Sequence, residues 1–92
     1  MLYRLTFDFT IDGHLRVTGV AEGRSVVSAI HLNDKAFGAA VKAAEIAPFQ
    51  TLRLLEAARE ARNQPGTEIC CEAVELNQKQ LDLISASVSR NS

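Results

Sequence analysis

The stretch FDFTIDGHLRV, Phe7 to Val17, decides how the N-terminal part of this chain folds. Tyr3, Leu5, Phe7, Phe9 and Ile11 alternate with Arg4, Thr6, Asp8, Thr10 and Asp12. A period of two sets an apolar row against a polar row, the mark of a half-buried strand. The alternation resumes after the glycine, with Leu15, Val17, Gly19 and Ala21 on one side and His14, Arg16, Thr18, Val20 and Glu22 on the other. Asp12-Gly13 invites a two-residue hairpin loop. Such a loop would pair Ile11 with His14 and Phe9 with Arg16, and because cross-strand partners share a face, the aromatic row would meet the charged row. A three-residue loop, Ile11-Asp12-Gly13, with Gly13 left-handed and a bulge at His14, restores parity. Phe9 then opposes Leu15, Phe7 opposes Val17 and Leu5 opposes Gly19, while Asp8 meets Arg16 and Thr6 meets Thr18 on the polar side. A loop of Asp12-Gly13-His14, pairing Ile11 with Leu15 and Arg4 with Glu22, also keeps parity. It asks His14 for a left-handed backbone that glycine adopts at less cost.

Beyond the hairpin, AEGRSVVSAIHLNDKAFGAAVKAAEIAP reads as helix, with Ala21-Glu22-Gly23 as the strand-to-helix junction. Val26, Val27, Ile30, Phe37, Ala40, Val41 and Ala44 follow helical spacing, and Asn33-Asp34 marks a break at which Asp34 caps a second piece running to Ile46. The alternative makes SVVSAIHL a third strand. Pro48 is expected to close this helix, since the residue before a proline is pushed out of the α region. Gln50 to Asn63 is the clearest helix: Leu54, Ala58 and Ala61 stack on one side with Leu55 beside them, and Arg53, Glu56, Arg59 and Glu60 lie opposite. Gln64-Pro65-Gly66 is a turn. TEICCEAVEL reads as a strand of ambiguous facing. In QLDLISASVSR, Ile84, Ala86 and Val88 alternate with serines as in a strand, although Leu81, Ile84 and Val88 also suit a helix. The expected fold is α+β, one domain over residues 1–92: an antiparallel sheet of the N-terminal hairpin plus one or more C-terminal strands, with two helices packed on one face.

Of the 92 residues 47% are hydrophobic, much of that alanine, and tryptophan is absent. The core is expected to rest on Phe7, Phe9, Phe37, Phe49 and a set of aliphatic residues, for a stability on the order of 5 kcal/mol. A net charge of −1 argues against bulk electrostatic capture of nucleic acid or an anionic membrane, and against an acidic mimic of DNA. The alternating start shows neither the basic nor the apolar region of a signal peptide, and no stretch approaches the ~20 apolar residues of a membrane helix. Cys70 and Cys71, adjacent and the only cysteines, read as reduced thiols of a cytoplasmic protein.

The residues that could carry chemistry do not assemble into a motif. Zinc-binding cysteines are spaced so that both sulfurs reach one ion, and neighbours on a strand point apart. Glu68, Glu72 and Glu75 around the cysteines would raise a thiol pKa, opposite to what a nucleophile needs. His14 and His31 have no carboxylate or serine at informative spacing. Gly13, Gly19, Gly23, Gly38 and Gly66 form neither a dinucleotide fingerprint nor a P-loop. We therefore expect no catalytic, cofactor or metal residues and no small-molecule substrate. What remains is surface: a flat, mixed-charge outer sheet face of Arg4, Thr6, Asp8, Arg16 and Thr18, edge strands able to pair with another chain, and Arg53, Arg59 and Arg62 with Lys35 and Lys42 on the helical part.

A short hairpin running into AEGRSVVSAI and an alanine-rich helix, in a cysteine-poor chain of this length, resembles small phage-encoded proteins, and among them the anti-CRISPR inhibitors of multi-subunit type I surveillance complexes. That resemblance implies a non-enzymatic inhibitor acting in the bacterial host cytoplasm. It would bind Cas subunits near the guide RNA path and block target DNA binding, with basic side chains contacting guide RNA phosphate or acidic Cas surfaces. Arg4, His14, Arg16, Arg53, Arg59 and Arg62 are the expected partner-binding residues. The alternative reading is a small nucleic-acid-associated regulator or antitoxin-like module, and a third class, a thiol enzyme, would require a reactive cysteine.

Overall fold

A computed structural model describes residues 2–85. The chain is α+β: the described residues form four antiparallel strands in the order β3-β2-β1-β4, with three helices packed against the sheet. The strands are β1 (Leu2–Phe9), β2 (Leu15–Ala21), β3 (Arg24–His31) and β4 (Ile69–Glu75), and the helices are α1 (Asp34–Ala43), α2 (Pro48–Asn63) and α3 (Gln78–Ile84).

The first hairpin has the register that parity demands: Phe9 opposes Leu15, Phe7 opposes Val17, Leu5 opposes Gly19, Asp8 opposes Arg16 and Thr6 opposes Thr18. Its loop is the three-residue one. Gly13 N donates to Thr10 O (3.0 Å), Thr10 N donates to His14 O (2.9 Å), and Gly13 takes a φ of 84°. Ile11 stands fully in water at the tip.

Ala21-Glu22-Gly23 is not a strand-to-helix junction, and SVVSAIH is a strand rather than a helix. Glu22 and Gly23 both adopt positive φ (54° and 77°), as a two-residue type I′ turn requires, and Ala21 pairs with Arg24. The chain therefore doubles back onto β2. A register shift between Gly19 and Val20 breaks the alternation of β3, and the buried inward residues beyond it are Ala29 and His31. An irregular strand with a histidine at an inward position does not show a period of two. Glutamate is a costly occupant of the left-handed region, so Glu22→Asn is expected to raise the unfolding free energy by about 1 kcal/mol, read as a higher urea midpoint at unchanged slope.

Helix α1 is capped by Asn33, not Asp34: the Asn33 side chain accepts from Ala36 N at 2.8 Å. It ends before Ile46, with Glu45 at a φ of 55° just past its last turn. Pro48 does not terminate α1 but opens α2, where its missing N–H costs nothing because first-turn donors lack intrahelical partners. On α2 the buried stripe is Leu54, Ala57, Ala58 and Ala61. Gly38 of α1 lets the two helices approach, since a Cβ there would lie 3.3 Å from Leu55 Cδ2. Arg62, late in α2, pairs with Asp34 at the start of α1 (3.1 Å).

Strand β4 carries a bulge. Tyr3 pairs with Val74 and Leu5 with Cys71, so three residues of β4 run past two of β1, and Ala73 takes a φ of 53°. The extra residue lets Cys71 and Val74, three apart, both point inward. The segment after it is a third helix, not a strand: Asn77 and Gln80 form a reciprocal capping box that starts α3, whose buried residues are Leu81 and Ile84. The rest of the expected C-terminal strand lies outside the described residues.

One core joins Tyr3, Leu5 and Phe7 of β1, Leu15 and Val17 of β2, Cys71 and Val74 of β4, and residues from every helix. Phe37 of α1 sits edge-on to Phe7 (5.4 Å between centroids) and to His31 (5.2 Å). Phe9 packs against the core from partly buried ground, Tyr3 is buried, and Phe49 is not in the core at all, with 73% of its surface exposed.

Candidate functional site

With all three helices on the inner side, the outward row of the sheet is open: Arg4, Thr6 and Asp8 of β1, Arg16, Thr18 and Val20 of β2, Ser28 and Ile30 of β3, Cys70 of β4. Its polar groups largely serve one another. Arg16 Nε and Nη2 donate to the two Asp8 carboxylate oxygens at 3.0 and 2.6 Å, and that hydrogen-bonded carboxylate raises the arginine's pKa. Thr6 Oγ1 donates to Thr18 O at 3.4 Å. His14 closes the hairpin end: its N–H meets Thr10 Oγ1, and its Nδ1, as donor, meets Leu32 O at 3.2 Å.

The six expected partner-binding residues do not share a surface. Arg4, His14 and Arg16 belong to the hairpin, whereas Arg53, Arg59 and Arg62 belong to α2 behind the sheet. Three of the arginines are engaged within the chain. Arg16 holds Asp8, Arg62 holds Asp34, and Arg53 Nη1 donates to Gln50 Oε1 (2.8 Å) while its Nη2 donates to the Glu72 carbonyl on β4. Arg4 and Arg59 are exposed.

An apolar feature that sequence reasoning missed lies on the first turn of α2. Phe49 and Leu52 are 73% and 61% exposed, and Ala47 and Pro48 before them are also exposed. The Arg53 guanidinium carbon lies 6.0 Å from the Phe49 ring centroid, a cation–π distance. The signal was present: five residues at 3.6 per turn carry Phe49 about 140° away from Leu54, the centre of the buried stripe.

Between α2 and the outer edge of β4 runs an open groove of about 400 Å³, lined by Arg53, Glu56, Ala57 and Glu60 on the helix and by Ile69, Cys70, Cys71 and Glu72 on the strand. Cys71 is buried and its thiol pKa is raised, chiefly by burial; Cys70 is exposed, and both are free thiols. Among the described residues no three His, Cys, Asp or Glu side chains gather as ligands of one metal ion, and no helix is long and apolar enough to cross a membrane. No protein-family model, curated protein or solved structure matches this chain.

Proposed function

We propose that this chain is a non-enzymatic protein-binding module that inhibits by occupying a partner's working surface. The observation that carries the reading is the apolar turn at the start of α2. Two large side chains, Phe49 and Leu52, stand in water beside an arginine, in a chain with few large apolar residues to spend. Aromatic, aliphatic and arginine side chains on a rigid helix turn are the composition of an interface centre. The resemblance to small phage-encoded inhibitors makes the Cas subunits of a type I surveillance complex, in the bacterial cytoplasm and near the guide RNA, the partner to test first, with blocked target DNA binding as the consequence.

The test mixes tagged protein with purified surveillance complex and measures both complex formation and target DNA binding. Wild-type protein is expected to co-elute with the complex and suppress DNA binding. Phe49→Ser and Leu52→Ser should each weaken association about tenfold or more while moving the thermal midpoint by no more than a few degrees, because both sites are exposed. No co-elution with DNA binding intact overturns the Cas assignment. Unchanged affinity in both variants overturns the α2 surface. Binding of free RNA or DNA with a steep salt dependence would instead identify the nucleic-acid-associated regulator.

A further inference from the structure

The groove beside β4 has the parts of a strand-addition site, and we infer that it receives an extended, lysine- or arginine-bearing segment of a protein partner as a fifth strand. β4 is the outermost strand on its side, and among the described residues no strand pairs with its outer edge. The Glu72 carbonyl points away from β1, where Arg53 of α2 meets it. By the alternation of strand backbone, the N–H and C=O of Cys70 share that outward side. Arg53 therefore occupies one end of the edge at the Glu72 carbonyl, and the stretch from Cys71 back to Ile69, whose outward main-chain groups are those of Cys70, remains open to a partner's main chain.

The side walls choose the partner. Helix α2 runs alongside this edge on the inner face, so an added strand would extend the sheet beside β4, with alternate side chains pointing toward α2. There it meets Glu56 and Glu60 above a floor of Ala57 and half-buried Ile69. A lysine or arginine stem fits the apolar floor while its charged head reaches the two carboxylates. Glu72 adds a third carboxylate, so three carboxylates face one guanidinium, Arg53, which directs one N–H to Gln50 Oε1 and another to the Glu72 carbonyl. A basic segment is thus complementary, and an acidic segment or a nucleic-acid backbone is repelled. Phe49, on the same side of α2 one turn before Arg53, offers an aromatic contact just past the groove's end. The inference rests on the protein-binding reading of the chain but not on the identity of the partner.

The probe is a labelled peptide of alternating lysine and valine, titrated into the full-length protein and followed by anisotropy and by backbone amide shifts. Saturable binding is expected, with shifts concentrated in Ile69–Glu72 and the facing turns of α2. Methylating alternate peptide amides, which removes main-chain pairing, should weaken it about tenfold or more, as should the double reversal Glu56→Lys with Glu60→Lys. The reversal Glu22→Lys with Glu45→Lys, equal in charge but away from the groove, should leave affinity within about twofold if binding is local rather than driven by net charge. Equal binding of a glutamate–valine peptide, shifts confined to β3, equal weakening by both double reversals, or concentration-dependent shifts of the same residues without peptide each overturn the inference; the last would assign the edge to a second copy of this chain. Peptide failure alongside intact binding to the surveillance complex overturns the groove alone, whereas intact peptide binding without the complex overturns only the partner named above.

Discussion

Phe37→Ala is expected to lower the thermal midpoint by roughly 15–30 °C, while the same substitution at Phe49 should move it by no more than a few degrees. Phe37 is fully buried on α1 and is the ring through which the helical layer meets the sheet, touching Phe7 of β1 and His31 of β3 edge-on. Removing a buried phenylalanine costs about 3–5 kcal/mol in lost transfer energy and residual cavity. Two edge-to-face contacts go with it, worth about 1 kcal/mol each beyond area alone. A domain of this length has on the order of 5–10 kcal/mol to lose, so the variant should sit at the margin of folding. Phe49 has no such role, being 73% exposed with Arg53 alongside its ring. The pair of variants is read by differential scanning calorimetry. Similar midpoints for the two would mean that Phe37 is not the joint between the layers.

That contrast shows where the residues were legible and where they were not. The first hairpin could be read to the residue because parity leaves few registers open and Gly13 chooses among them. The buried stripe of α2 was equally plain, since Leu54, Ala58 and Ala61 repeat at helical spacing. Irregularity defeated the rest. The Glu22-Gly23 turn lacks the Asn or Asp that normally signals a two-residue hairpin, so β3 was hidden behind a junction. The bulge at Ala73 inserts one residue into β4 and shifts the facing of everything after Cys71, leaving the TEICCEAVEL pattern without one phase. Helix α3 did announce itself through Asn77 and Gln80, a capping-box spacing outweighed by the Ile-Ser-Ala-Ser-Val alternation beyond it. The candidate site was the least legible part. Parity paired Arg16 with Asp8, but charges in a sequence do not reveal that Arg53 and Arg62 find partners within the fold, nor that Phe49 finds none of the core.

His31→Ala is the second large effect expected, about 3 kcal/mol of destabilisation together with loss of an acid-sensitive branch in the stability profile. His31 is the one buried polar residue among those described, at 5% exposure. Its Nε2–H donates to Ile84 O at 2.7 Å, at the end of α3 where the last carbonyls lack intrahelical donors. The ring also fills space against Phe37. Truncation therefore leaves a cavity and removes a donor from a buried acceptor, roughly 1–3 kcal/mol for the donor alone. Burial lowers the pKa of His31 below its usual 6.5, an effect that the Ile84 carbonyl opposes without overcoming. In the unfolded chain the imidazole regains the ordinary value and takes up its proton first as the pH falls. Between 6.5 and the lowered folded value the unfolded state thus binds more protons, so stability is full above pH 6.5 and declines as the pH drops through that window. Denaturant titrations of wild type and His31→Ala across this range test the argument directly: the difference between them should shrink as the solution is acidified, because acid removes from the wild type part of what the substitution has already removed from the variant. A difference that stays constant would show that burial and the Ile84 carbonyl cancel, and one that widens would show that Ile84 O and the carbonyl end of α3 favour the charged imidazole strongly enough to reverse the effect of burial.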